Sequence, residues 1–231
     1  MAVRKSFFVV SFVLALFSTS ALAGQSNRKD ALQDNNGQAQ SQEVKKKYYE
    51  APFGLKWGMS IEDAKSLNIE MDENKDDGVV VAYKVSVLPS QPPGTDFAIL
   101  IFSKARGLQK VLWNSTDIRE DSNGVKGREE FKSYQSILEE KYGKPESKNM
   151  IKKTGLKLYK EADEFYQCLH YDGCGYWMAM WNLKTMTVLL EIRSSGRRGN
   201  GWLQIAYEGP EWDDALKDGR EQDRQKKKAS F

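Results

Sequence analysis

Apolar and polar residues alternate with a period of two in several segments of this chain, and that rhythm limits what it can fold into. Val79, Val81, Tyr83, Val85 and Val87 alternate with Val80, Ala82, Lys84 and Ser86. This is the pattern of a strand with one buried face. Asp76-Asp77-Gly78 before it is a turn, and Pro89 to Gly94 holds three prolines and must be a loop. Asp96–Ser103 is densely apolar and reads as a buried strand. Ala105-Arg106-Gly107 turns the chain into a third strand, Leu108–Trp113. The three make an antiparallel meander.

The rhythm then changes. Over Lys126–Tyr142, Phe131, Tyr134, Leu138 and Tyr142 share one face of a helix, with Ile137 beside them. Gly143 stands where a helix C-cap belongs, and Pro145 blocks continuation. Four strand candidates follow, at Glu164–Leu169, Gly175–Leu183, Thr185–Arg193 and Gly201–Tyr207, and period two returns in the last two. An earlier short helix over Ile61–Leu67 is opened by Ser60, with Glu62 and Asp63 in its first turn. The order is helix, strands, helix, strands. Runs of strands joined by short turns predict an α+β fold with antiparallel meander sheet and two helices, not parallel βαβ units.

The chain's ends differ from this core. Arg4 and Lys5 precede the apolar run Phe7–Phe17, and Ala21-Leu22-Ala23 closes the segment with a small-x-small site. That is the pattern of a secretory signal peptide over residues 1–23. Residues 24–47 are rich in Gln, Asn, Ser and Lys, too polar to offset the entropy of ordering them, and read as a disordered leader. Residues 48–212 are the single α+β domain, and residues 213–231 a charged tail. The whole chain carries 35 basic and 32 acidic side chains. Removing residues 1–23 takes away Arg4 and Lys5 and no acid, leaving 33 against 32. The basic excess belongs mostly to the export signal and does not point to nucleic acid. No apolar run reaches the ~18 residues that span a bilayer, so no transmembrane segment is expected in the mature chain.

Few residues offer chemistry. Cys168 and Cys174 are the only cysteines, and Asp172-Gly173 between them is a turn signal. A hairpin would set them face to face, and export would favour a disulfide. The other reading is a metal site from Cys168, His170 and Cys174, perhaps with Asp172. Five intervening residues do not fit the usual ligand spacing, and no second half-site exists. No metal or cofactor is therefore expected. His170 is the only histidine, and no nucleophile elbow, zinc-protease or P-loop sequence occurs. A hydrolase would have to use carboxylates, for which Glu161, Asp163 and Glu164 are a suggestive but ordinary solvated group. Asn114-Ser115-Thr116 matches a glycosylation sequon.

Aromatic residues offer a surface instead. Of six tryptophans, Trp177 and Trp181 lie four apart and share a strand face, with Tyr176, Met178 and Met180 on the other. Such a strand is either covered on both sides or exposes a platform. Trp177, Trp181 and Trp202 are the candidate aromatics for a glycan or partner surface. Arg193, Arg197 and Arg198 flank Gly196–Gly201, a hairpin tip able to clasp an anion.

Phe53-Gly54-Leu55-Lys56-Trp57-Gly58-Met59-Ser60, followed by Ile61-Glu62-Asp63-Ala64, resembles the opening of many exported bacterial domains of unknown function. The Lys141-Tyr142-Gly143-Lys144-Pro145 helix exit is similar too. More distantly, the helix-then-meander order resembles the β-lactamase-inhibitor-protein-like envelope domains. The resemblance implies a bacterial envelope setting and action by binding a partner. Together these readings predict an exported, periplasmic, non-enzymatic binding domain with an envelope protein or glycan as partner. The alternatives are a glycan or small-ligand binder using exposed aromatics, and a carboxylate-dependent hydrolase.

Overall fold

The structure, a computed structural model, describes residues 49–151, 159 and 161–230. The expected signal peptide and leader, residues 1–47, and Phe231 lie outside the described residues.

Cross-strand register turns the alternation into one core. The main strands are β3 (Met71–Asp76), β4 (Val80–Val85), β5 (Thr95–Ser103), β6 (Gly107–Ser115), β7 (Glu146–Ile151), β8 (Gly175–Asn182), β9 (Thr187–Ser194) and β10 (Gly201–Glu208). They form one antiparallel sheet in the order β3-β4-β5-β6-β10-β9-β8-β7. A two-stranded pair, β1 (Tyr49–Glu50) with β2 (Lys56–Trp57), precedes it. In the sheet, Tyr83 pairs with Leu100, and Leu100 with Val111. Val111 pairs with Tyr207, Tyr207 with Val188, and Val188 with Trp181. Directly paired residues share a face, so one face carries a continuous apolar row. Every residue in that row is buried.

The helices α1 (Ile61–Ser66), α2 (Val125–Tyr142) and α3 (Phe165–His170) supply Ala64, Phe131, Leu138, Phe165 and Tyr166 to the same cluster. Trp113 lies at its centre, fully buried. Its Nε1–H donates to Thr95 Oγ1 at 2.7 Å, and its ring lies 5.0 Å from that of Tyr134. Burying an indole this way contributes roughly 3–5 kcal/mol against truncation to Ala, provided its N–H has a partner.

Local chemistry sets the helix ends. Ser60 Oγ accepts from the Asp63 N–H at 3.0 Å, and Asp63 Oδ2 accepts from the Ser60 N–H at 2.9 Å. This reciprocal capping box starts α1. The N-terminus of α2 is pinned by a residue outside it. Asp121 accepts from the Lys126 N–H, the Gly127 N–H and the Tyr166 hydroxyl, at 3.1, 2.9 and 2.8 Å. Gly127 has to be glycine because a Cβ there would collide with the Tyr166 hydroxyl. At the other end, the Gly143 N–H donates to Glu139 O in a left-handed exit, as its position predicts.

The fold class agrees with the sequence reading, with several corrections in detail. Among the described residues there are four α-helices, not two. The segment read as a strand over Glu164–Leu169 is helical: a 3-10 turn at Ala162–Glu164 runs into α3. Glu161 and Glu164 cap each other's backbone there, and Phe165, Tyr166 and Cys168 then turn inward at helical spacing. The predicted charged tail begins as α4 (Trp212–Ala229), anchored by buried Trp212 and Ala215 and by Arg106 bound to Asp218 at 2.9 Å. Two edge strands, β3 and β7, have no counterpart in the sequence reading. Among the described residues, no helix is long and apolar enough to cross a membrane.

Candidate binding face

The helices of the core cover one face of the sheet. Its other face is built from the alternate positions of the same strands. Register threads a second row across it: Lys84 pairs with Ile99 and Ile99 with Leu112. Leu112 pairs with Ala206, Ala206 with Leu189, Leu189 with Met180, and Met180 with Glu146. Beyond Lys84 the register continues to Asp72 on β3, so the row is apolar over five strands and acidic at both sheet edges, with Lys84 just inside one of them. Ala206 is buried; Ile99, Leu112, Leu189 and Met180 are half-buried; Lys84 and Glu146 are exposed.

The next row toward the β9–β10 turn is polar at its centre. Asn114 is buried, and its Oδ1 accepts from Trp202 Nε1–H at 3.1 Å and from Gln204 Nε2–H at 2.7 Å. These bonds tie the Trp202 and Gln204 side chains to β6. Arg193 pairs across the ladder with Trp202 and forms an ion pair with Glu191 at 3.3 Å. On the opposite side the row is bounded by Lys110, which meets Glu208 at 2.6 Å and lies 4.9 Å from the Trp212 ring. Lys84 Nζ sits 4.4 Å over the Phe97 ring. The result is a patch with an apolar centre and a charged rim, which is the anatomy of a protein–protein contact.

The sequence-predicted site residues separate onto different parts of the molecule. Trp202 and Arg193 come together on this face. Trp181 does not: it is 2% exposed on the core face, with Nε1–H donating to Gly143 O at 2.7 Å. Trp177 is half-buried on that same core face, 5.9 Å from Phe165, under the Arg128 guanidinium. The two tryptophans therefore belong to the core side. The physical reason is phase: Ala179 lies between them on the strand, and that side of β8 is the one α3 covers. Of these three candidates, Trp202 alone stands on the open face. Arg197 is exposed in the β9–β10 turn, and Arg198 is ion-paired with Asp163. The anion clasp is thereby reduced, since Arg193 and Arg198 already hold carboxylates.

Cys168 and Cys174 form a disulfide, their Cα atoms 5.1 Å apart. The geometry differs from the expected hairpin: Cys168 is in the last turn of α3, and Cys174 immediately precedes β8. The bond takes both sulfurs out of any metal reading. Among the described residues, no group of three or more His, Cys, Asp or Glu side chains could hold a metal ion. His170 is exposed, with Nδ1 3.3 Å from Ser194 O. Glu161 and Glu164 are spent on capping and Asp163 on Arg198. Asn114, the sequon residue, is 1% exposed, with Oδ1 accepting from Trp202 and Gln204 and Nδ2–H donating to Leu112 O at 3.5 Å.

The strongly shifted ionisable groups lie away from the open face. Burial raises the Tyr207 hydroxyl far above its ordinary value; burial and then the Asp121 carboxylate do the same for Tyr166. Glu130 on α2 is raised by burial alone. All three are explained by packing, as structural networks also shift such groups.

The motif that carried the resemblance is also spent on packing. Phe53 and Gly54 adopt left-handed backbone, and Trp57 is buried. The Gly58 N–H donates to Leu108 O and the Leu108 N–H to Met59 O, both at 2.9 Å. Gly107 leaves room for the Gly58 and Met59 carbonyls, which a Cβ would strike. The motif is a clamp on the start of β6.

Ile99, Leu112 and Leu189 were not singled out by sequence reasoning, and Met180 only as part of the strand face opposite Trp177 and Trp181. The available signal was that β5 and β8 are apolar in both phases, which a strand covered on one side only does not require. Compared with protein families, curated proteins and solved structures, the chain matches none.

Proposed function

We propose that this chain is an exported, periplasmic, non-catalytic interaction domain that binds a protein partner through the open face of its eight-stranded sheet. The observation that carries the reading is the row from Asp72 to Glu146, apolar across five central strands and charged at both edges. A half-buried apolar stripe with a polar rim loses little by being left in water and gains by being covered. The Cys168–Cys174 bond supports an oxidising compartment. The signal-like N-terminus and the resemblance of the Phe53–Ala64 segment to exported envelope domains support the same setting.

Site-specific photo-crosslinking tests the binding surface. A benzophenone side chain at Leu189 on the open face is expected to capture a defined protein in the bacterial envelope. The same probe at Ile137, exposed on α2, is expected to capture none. Adducts at both positions, or at neither, would contradict the reading. Fractionation should place the chain, with its disulfide closed, in the periplasm; a cytoplasmic, thiol-reduced chain would remove the localisation.

A further inference from the structure

A charged surface lies apart from the open face, on α4. This helix crosses the turn end of the sheet, from Trp212 beside Lys110 of β6, past Arg106 in the β5–β6 turn, to the β3–β4 turn. Its inner side is plain from packing. Trp212 and Ala215 are buried, a Cβ on Gly219 would lie 3.2 Å from Val79, and Lys226 reaches Gly78. These positions recur at i, i+3, i+7 and i+14, which is one side of a helix. Lys217, Arg220, Arg224, Lys227 and Lys228 recur at i, i+3, i+7, i+10 and i+11. They form a second stripe, about 140° around the helix from the first and about 16 Å long. All five are exposed.

The acids nearby do not cancel this stripe. Asp214 holds Lys217 at 2.8 Å, Glu221 holds Arg224 at 3.0 Å, and Asp218 is turned to Arg106. Asp213 stands in the first turn, and Asp223 lies between the stripe and the inner side. Asp76 and Asp77 belong to the β3–β4 turn on the inner side, with Asp72 and Glu73 further along β3. Asp76 is paired with Lys104, and Asp77 accepts from the Val79 and Val80 N–H groups. A helix diameter of about 10 Å separates that side from the stripe, more than the ~8 Å over which physiological salt screens charge. Arg220, Lys227 and Lys228 meet no carboxylate among the described residues. Bases in a last turn suit the helix dipole, but that effect does not align Lys217 and Arg220 with them. From Arg220 to Ser230, Arg220, Arg224, Lys226, Lys227 and Lys228 stand against Glu221 and Asp223, and Ala229 is the only apolar residue. The stripe therefore lacks the apolar centre of a protein contact. We propose that the outer stripe of α4 seats the domain on an anionic phospholipid surface, held there by charge alone. It is a second binding surface, independent of the open face and its partner.

Flotation of the full chain, purified from an exporting host, with lipid vesicles tests this. Phosphatidylcholine vesicles that contain phosphatidylglycerol should carry the chain at low salt and release it at high salt. Vesicles of phosphatidylcholine alone should carry none. Each base near an anionic surface is worth roughly five-fold in affinity. Arg220→Gln, Lys227→Gln and Lys228→Gln together should therefore weaken binding about a hundred-fold. Lys65→Gln, Lys132→Gln and Lys144→Gln remove the same charge from exposed positions elsewhere and should leave binding nearly unchanged. Glutamine keeps helix propensity, and circular dichroism verifies that α4 persists. No binding to the anionic vesicles, binding indifferent to salt, or equal loss in the two triple variants would overturn the proposal. Tighter binding to a single-stranded oligonucleotide than to the vesicles would overturn it too and make the stripe a nucleic-acid surface. The Leu189 probe is untouched by these outcomes, so the open face stands or falls separately.

Discussion

Asp121 shows how much one buried carboxylate can hold. It is 5% exposed and joins the loop before α2, the first turn of α2 and the ring of Tyr166. Tyr166 in turn is wedged against Gly127 and Gly201, neither of which leaves room for a Cβ. Asp121→Ala would strand the Gly127 N–H and the Tyr166 hydroxyl in a dry site, costing about 3 kcal/mol or more. Tyr166→Phe removes a donor but leaves Asp121 two N–H partners, costing about 1–2 kcal/mol. Urea unfolding should rank them in that order; equal losses would contradict the network. Tyr166 and Tyr207 also predict alkaline sensitivity. Their hydroxyls ionise near pH 10 when unfolded and well above that when folded. The stability they contribute is complete below that pH and is lost as pH rises beyond it. Two tyrosines should therefore resist ionisation at 295 nm until the chain unfolds. Ionisation of every tyrosine with the fold intact would count against their burial.

The secondary-structure elements were legible wherever a strand has one buried side and a helix its proper ends. β4, β9 and β10 alternate cleanly, and α2 declares itself by Phe131, Tyr134 and Leu138 and by Gly143. β3 was invisible because five of its six residues, Asp72 to Asp76, are polar or charged. It is an edge strand with a bulge between Glu73 and Lys75, and charge with a bulge is how exposed edges avoid further pairing. α3 was misread because Phe165, Tyr166, Cys168 and Leu169 fit a short strand as easily as a helix when the Glu161–Glu164 cap is overlooked. The open face was only half legible: Trp202 and Arg193 were identified, but register alone shows which apolar residues stand in one row. At this scale the disulfide makes a prediction. It ties the end of α3 to the start of β8 across a short loop. Replacing both cysteines with serine should cost about 2 kcal/mol, read as a lower urea midpoint. An unchanged midpoint would mean that α3 is held entirely by Phe165 and Tyr166.

At the scale of the whole molecule, two helix-and-strand cycles make the halves of one sheet. β3 to β6 run inward from one edge and β7 to β10 from the other, and the last strand of each cycle, β6 and β10, pair at the centre. This places three helices against one face and leaves α4 at the turn end of the other, where Arg106 and Lys110 receive it. The charged rim and apolar middle of the open face follow from that asymmetry, since the same strands must serve a dry side and a wet one. The central claim is that this wet side is covered in the working molecule. Thiol labelling of Leu189→Cys tests it most directly, comparing the chain in the bacterial envelope with the purified chain at high dilution. The account predicts slow labelling in the envelope and fast labelling when dilute, with Ile137→Cys labelled quickly in both. Equal labelling of Leu189→Cys and Ile137→Cys in the envelope would contradict it.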